Sequence, residues 1–365
     1  MDKHLDVLNE WIERVRAAAA SAAPLRIRGG GSKDFYGQSL TGELLDTRAY
    51  SGIVSYEPSE LVVTARAGTP LAELEALLAA QGQCLPFEPP HFGPHATVGG
   101  MVASGLNGPA RSSVGAVRDY VLGTQLLNGK AEVLSFGGQV MKNVAGYDVS
   151  RLMAGSLGTL AVLLEVSLKV LPVAPAECTL RFALGEADAL QQLNRWGGLP
   201  LPINASSWQQ LDGQGQLLVR LRGAVAAVAA AQTTMGGTRL PDEEAVHLWH
   251  SLREQTAAFF TLQAGESLWR ASVADTAASL NLGPTLIEWG GAQRWLKRPA
   301  ADATLIRTAA AQAKGHATLF RAGSAQDKTT AVFTPLAEPL GRIHRSLKQQ
   351  FDPAGVFNPA RLLPD

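Results

Sequence analysis

The apolar residues of the chain follow two periods. From residue 160 to 170 the chain alternates, with Val162, Leu164, Val166, Leu168 and Val170 on one side and Leu163, Glu165, Ser167 and Lys169 on the other. A period of two marks a strand with one buried face. Shorter β-rich runs predict strands at 25–28, 61–65, 120–127 and 131–136, with Asn128 and Gly129 as the hairpin turn between the last two. Elsewhere the spacing is helical. Leu5, Leu8, Trp11, Ile12 and Val15 form one stripe near the N-terminus, which predicts an amphipathic helix docked on the core. Its polar face mixes both charge signs, which favours docking over a basic membrane-surface helix. A second helix is expected after Thr69 as cap and Pro70 as first residue, with Leu71, Leu74, Leu77 and Leu78 inward and Gly82 as its stop. In the tail, Leu340, Ile343, Leu347 and Phe351 are spaced for burial.

These elements divide the chain. Residues 24–170 combine strands with glycine-rich loops, and Pro172 and Pro175 close that region. We therefore expect a first domain over 1–175. Residues 176–335 alternate Ala-rich helices with strands near 217–221, 285–289 and 317–320, which predicts a smaller α+β domain. Residues 336–365 return to the first domain and end in a stiff, turn-rich run over 351–359.

Composition narrows the function. The chain has 365 residues, 46% of them hydrophobic, with 32 basic and 32 acidic side chains. Zero net charge argues against a nucleic-acid or anionic-membrane partner. The only cysteines, Cys84 and Cys178, stand far apart. This reads as a reducing compartment, with no disulfide framework and no iron–sulfur cluster of the chain's own. The N-terminal run is too interrupted by charge to be a signal peptide or a membrane span. His247 and His250 share a helix face, but no third ligand accompanies them, so no metal site is expected.

Three loops carry candidate chemistry. Arg28, Gly29, Gly30, Gly31, Ser32 and Lys33 form a run whose glycines let successive N–H groups turn inward as an anion nest suited to a pyrophosphate. It is neither a dinucleotide fingerprint, because Asp34 replaces the third glycine, nor a P-loop. The second loop runs from Pro94 through Thr97, Val98, Gly99, Gly100 and Ala103 to Ser104 and Gly105, small enough for a flat ligand to lie against the main chain. The third, Gly155, Ser156, Leu157, Gly158 and Thr159, leads into the alternating strand.

This pattern resembles the FAD-binding domain of the vanillyl-alcohol oxidase / p-cresol methylhydroxylase superfamily. The residues that carry it are 28–33, Glu57 and Pro58 with 61–68, 97–103, Gly115 with 118–123, and 146–148 through Gly158 and Thr159. The tail from Asp352 and Pro353 to Asn358 and Pro359 adds to it. The stretch 141–148, with the short second domain, is similar to the FAD-binding E-subunit family of glycolate oxidases. The resemblance implies a PCMH-type domain of two α+β subdomains under a smaller cap. It implies FAD held by residues 28–33, by Pro94, Thr97, Val98, Gly99, Gly100, Ala103 and Ser104, by Gly115 and Asp119, by Gly155, Ser156, Gly158, Thr159 and Val162, and by Asn358. Some relatives bond flavin covalently through a histidine in the first loop. Here Ser32 stands in that region, so non-covalent FAD is expected.

The resemblance further implies oxidation of glycolate or a similar 2-hydroxy acid to the 2-oxo acid. Partners would be a sister flavin subunit and an iron–sulfur subunit, in the cytoplasm or peripherally at the inner membrane through those partners. The Glu-His-Gly motif of related dehydrogenases is missing. No catalytic residue is assigned. Two alternatives stay open, a self-sufficient dehydrogenase using His91, His95 or His316 as base, and a scaffold subunit.

Overall fold

The structure, a computed structural model, describes residues 3–138 and 147–362. The chain forms two compact units, the first from 1–106, 116–172 and 335–365, and the second from 107–115 and 173–334.

The first unit is built on a five-stranded antiparallel sheet ordered Ile53–Glu57, Val62–Arg66, Val162–Lys169, Val121–Leu127, Val133–Gly137. The alternating segment forms its central strand, and Val162, Leu164, Val166 and Leu168 are all fully buried, as the period of two requires. The hairpin after 127 is wider than the Asn-Gly pair suggests. Asn128 closes a five-residue connection (128–132), its Oδ1 accepting from the N–H groups of Lys130 and Glu132 at 2.9 Å each. The N-terminal helix spans Lys3–Ser21 and buries Trp11 and Val15 beside Leu25, Leu45, Val162, Leu164, Val356 and Phe357. Leu5, at the start of the stripe, stays 57% exposed.

Other helices depart from expectation. The helix Leu71–Ala79 begins after Pro70, and the Thr69 hydroxyl does not cap it; Thr69 instead accepts from the Gly52 N–H at 2.9 Å and donates to the Gly52 carbonyl at 3.1 Å. The glycine-rich stretch, read as loop, contains the helix Val98–Ser104, with Thr97 capping it by accepting from the Gly100 N–H at 3.2 Å. Glycine disfavours helices, so propensity concealed it. The tail helix Glu338–Phe351 forms, yet Leu340 and Ile343 are 46% and 55% exposed rather than buried. Helical spacing fixes which residues share a face, not whether the chain covers it.

The second unit is an eight-stranded antiparallel sheet. Its strands include Gln214–Gly223, Thr285–Glu288 and His316–Arg321, where the sequence placed them. Helices Glu186–Gly197 and Val225–Met235 pack over one half of the sheet, and Ala303–Gln312 over the other. His247 and His250 both lie exposed on the helix Asp242–Arg253.

The glycine loops make close contacts between main chains. A Cβ on Gly30 would sit 1.4 Å from the carbonyl oxygen of His95, so the two loops meet only because no side chain stands between them. Gly30→Ala should therefore destabilise the first unit by at least about 1–3 kcal/mol, read as a lowered urea midpoint. Phe357→Ala, which empties a fully buried position, should cost about 3–5 kcal/mol by the same measurement.

Candidate functional site

The first loop begins where the strand Leu25–Arg28 ends. That strand pairs in parallel with Glu43–Asp46 and receives the C-terminal tail on its other side, where Leu25 N–H donates to the Val356 carbonyl at 2.7 Å. Beyond it the chain turns through Gly31, whose φ of +75° suits glycine. Arg28 folds back across this turn and its Nε donates to Asp34 Oδ2 at 2.7 Å. The Asp34 N–H closes the turn onto the Gly31 carbonyl at 3.1 Å. Among the described residues, the N–H groups of Gly30, Gly31 and Ser32 have no acceptor within the chain. Residues 30–32 are half-buried, so these donors lie side by side in the loop with no partner from the chain.

The loop borders a groove that is partly open to solvent. Its opposite wall is the helix Val98–Ser104, which presents Gly100, Ala103 and Ser104 with the capping Thr97. Leu157 completes this wall, its N–H donating to the Ala103 carbonyl at 2.8 Å.

The tail joins the two walls. Asn358 Oδ1 accepts from the Ile27 N–H at 2.8 Å, and its Nδ2 donates to the Leu157 carbonyl at 2.8 Å. Asp352, 1% exposed, holds the turn before it by accepting from the N–H groups of Val356 and Phe357 at 3.2 and 2.7 Å. Lys348 neutralises Asp352 at 2.5 Å and also donates to the carbonyls of Thr159 and Phe357, both at 2.8 Å. Three residues past Asn358, the Arg361 guanidinium reaches under the first loop and donates to the carbonyls of Lys33, Asp34 and Gln38. Burial lowers its pKa to about 10, which leaves it cationic at neutral pH.

Of the residues singled out from sequence, Arg28, Gly29, Gly30, Gly31, Ser32, Lys33, Thr97, Gly100, Ala103, Ser104 and Asn358 line this groove together. The others take different positions. Gly99 and Val98 are buried, with Val98 fully so, and Val162 is fully buried in the core behind. Gly155, Ser156, Gly158 and Thr159 shape the turn behind Leu157, where the Thr159 hydroxyl donates to the Ser156 carbonyl at 2.7 Å. Pro94 is exposed, and Asp119 is exposed while its Oδ2 accepts from the Ala116 N–H at 2.8 Å. Gly115 belongs to the second unit, ending the short helix Arg111–Val114. Met141 to Gly146, part of the sequence resemblance, lie outside the described residues. Sequence reading missed Ile27, Asp34, Leu40, Leu157 and Arg361 as groove residues. Asp34 and Leu157 stood inside recognised loops, but nothing local marks an arginine near the C-terminus as belonging to residue 33.

The architecture is shared with an alkyldihydroxyacetonephosphate synthase at a TM-score of 0.65 and 15% identity, covering 95% of this chain and 73% of that one. Residues 7–137 match the family described as FAD binding domain. The chain is 28% identical over 171 residues to the glycolate oxidase subunit GlcD of Bacillus subtilis (strain 168), covering 46% of this chain and 36% of that protein. It is 47% identical over 363 residues to the glycolate oxidase subunit GlcE of Escherichia coli (strain K12), covering 99% of each. This full-length match, on a fold whose groove offers unpaired main-chain donors, places the chain in the family of the FAD-binding glycolate oxidase subunit GlcE.

Proposed function

We propose that this chain holds FAD, without a covalent link, in the groove of its first unit, as one subunit of an assembly that oxidises glycolate or a similar 2-hydroxy acid to the 2-oxo acid. The observation that carries the reading is the run of unpaired N–H groups at Gly30, Gly31 and Ser32 beside a cationic groove, in a chain 47% identical to a glycolate oxidase subunit.

The residues present fit the cofactor. A diphosphate needs short, convergent donors with no side chains in the way, and residues 29–32 supply them. Arg28, Lys33 and Arg361 bring three positive charges to the groove against the single carboxylate of Asp34, a formal charge of +2. Thr97, Gly100 and Ala103 give a wall of small side chains against which the ribityl chain and ring can lie close to the main chain. Bound there, FAD supplies the two-electron redox chemistry. The protein's part is to clasp the diphosphate, to fix the ring's approach through the helix Val98–Ser104, and to hold both walls in register through Asn358.

No side chain of the groove is assigned as a catalytic base. The sister flavin subunit and the iron–sulfur subunit are proposed as the source of the substrate site and the electron acceptor. Among the described residues no helix is long and apolar enough to cross a membrane, so any membrane attachment by a helix of these residues would be peripheral.

The purified full-length chain should carry a visible flavin band that glycolate alone leaves unbleached. Bleaching by glycolate would favour a self-sufficient dehydrogenase, and a folded but colourless protein would favour a scaffold. Ala103→Phe, which projects a ring into the groove, should weaken FAD retention at least about tenfold, about 1.4 kcal/mol, with little change in the unfolding midpoint of the FAD-free protein. Unchanged FAD binding by this variant would remove the cofactor from this groove.

A further inference from the structure

The three cations of the groove are not equivalent. Arg28 is ion-paired to Asp34 at 2.7 Å. Lys33 places its Nζ 3.1 Å from the His91 carbonyl and 5.6 Å from the Phe92 ring centre. Arg361 is only 4% exposed and, among the described residues, makes no ion pair. Its side-chain partners are all main-chain carbonyls, Gln38 through Nη1 and Asp34 and Lys33 through Nη2 at 2.9 and 3.5 Å. The Asp34 carboxylate acts on it only at longer range, and a buried guanidinium hydrogen-bonded to neutral acceptors alone is costly unless further anionic charge arrives close by.

Its placement says which anion. Carbonyls 33, 34 and 38 form the second half of the loop whose first half bears the unpaired N–H groups of 30–32. By gathering those three oxygens, the guanidinium restrains the loop that carries the unpaired N–H groups. It also supplies the charge that makes the groove +2, the match for a doubly anionic diphosphate. The arrangement is closed by main-chain bonds in both directions, since Gln38 N–H donates to the Arg361 carbonyl at 3.1 Å and Arg361 N–H to the Asn358 carbonyl at 3.2 Å.

We propose that Arg361, contributed by the C-terminal tail, is the positioning residue for the dinucleotide diphosphate. It shapes the Gly29–Lys33 loop and balances the phosphate charge. The inference rests on the FAD reading and deepens it. It makes flavin retention a property of the tail as much as of the glycine loop, and it ties recognition to the diphosphate rather than to the isoalloxazine ring.

The test measures FAD and riboflavin affinity of the full-length chain, by quenching of flavin fluorescence, for the wild type, Arg361→Lys and Arg361→Met. For wild type, FAD should bind far more tightly than riboflavin, which lacks phosphate. Arg361→Met should lose FAD affinity about a hundredfold while riboflavin affinity stays within about threefold. Arg361→Lys should fall between, because an ammonium keeps the charge but lacks the planar fork that reaches several carbonyls. Millimolar methylguanidine should restore part of the FAD affinity of Arg361→Met. Equal FAD affinity in wild type and Arg361→Met would overturn the proposal. So would a parallel loss of FAD and riboflavin without rescue by methylguanidine, the signature of a merely structural role. Wild type that binds FAD no better than riboflavin would overturn the diphosphate reading of the groove itself, and this inference with it.

Discussion

The carboxamide of Asn358 joins two segments that the chain itself cannot keep together. It accepts from the N–H of Ile27, 331 residues away, and donates to the carbonyl of Leu157, 201 residues away. One side chain thus spans the strand that launches the first loop and the turn that backs the opposite wall. Closing such separations costs chain entropy, which the surrounding contacts must offset. The offset is visible nearby. Phe357 and Val356 are buried beside Trp11, Leu45 and Leu164, and the Asp352 carboxylate, paired with Lys348, fixes the turn that delivers Asn358. The groove exists because the end of the chain is packed against its beginning.

Small residues serve two purposes around this groove, and the purposes separate by geometry. Gly30 has no room for a Cβ because a neighbouring main chain occupies the space. Its smallness lets loop meet loop. Ala103 faces the groove, where its smallness leaves room for a ligand. A sequence rich in glycine and alanine does not distinguish the two. The consequence is experimental: enlarging a residue of the first kind tests folding, and enlarging one of the second kind tests binding.

Strong local patterns were legible in the sequence and cooperative contacts were not. The strand at 162–169 was readable because period-two alternation has one cheap structural solution. The mixed α+β build was readable for similar reasons, from strand and helix runs, and the glycine run at 29–31 marked a loop that does line the groove. The helix Val98–Ser104 was hidden because its two adjacent glycines argue against helix, while Thr97 and tertiary contact favour it. Exposure of Leu340 and Ile343 was hidden because spacing is local and coverage is not. Arg361 was hidden most completely, since its whole significance lies in three carbonyls more than 320 residues earlier.

If the unpaired main-chain donors at residues 30–32 receive the cofactor's phosphates, bound FAD protects them from solvent. Amide hydrogen exchange of the full-length chain with and without added FAD reads those donors directly. FAD should slow exchange over residues 29–34 and over the tail around 358–361. Slowed exchange elsewhere in the chain, with residues 29–34 exchanging as fast as before, would contradict it.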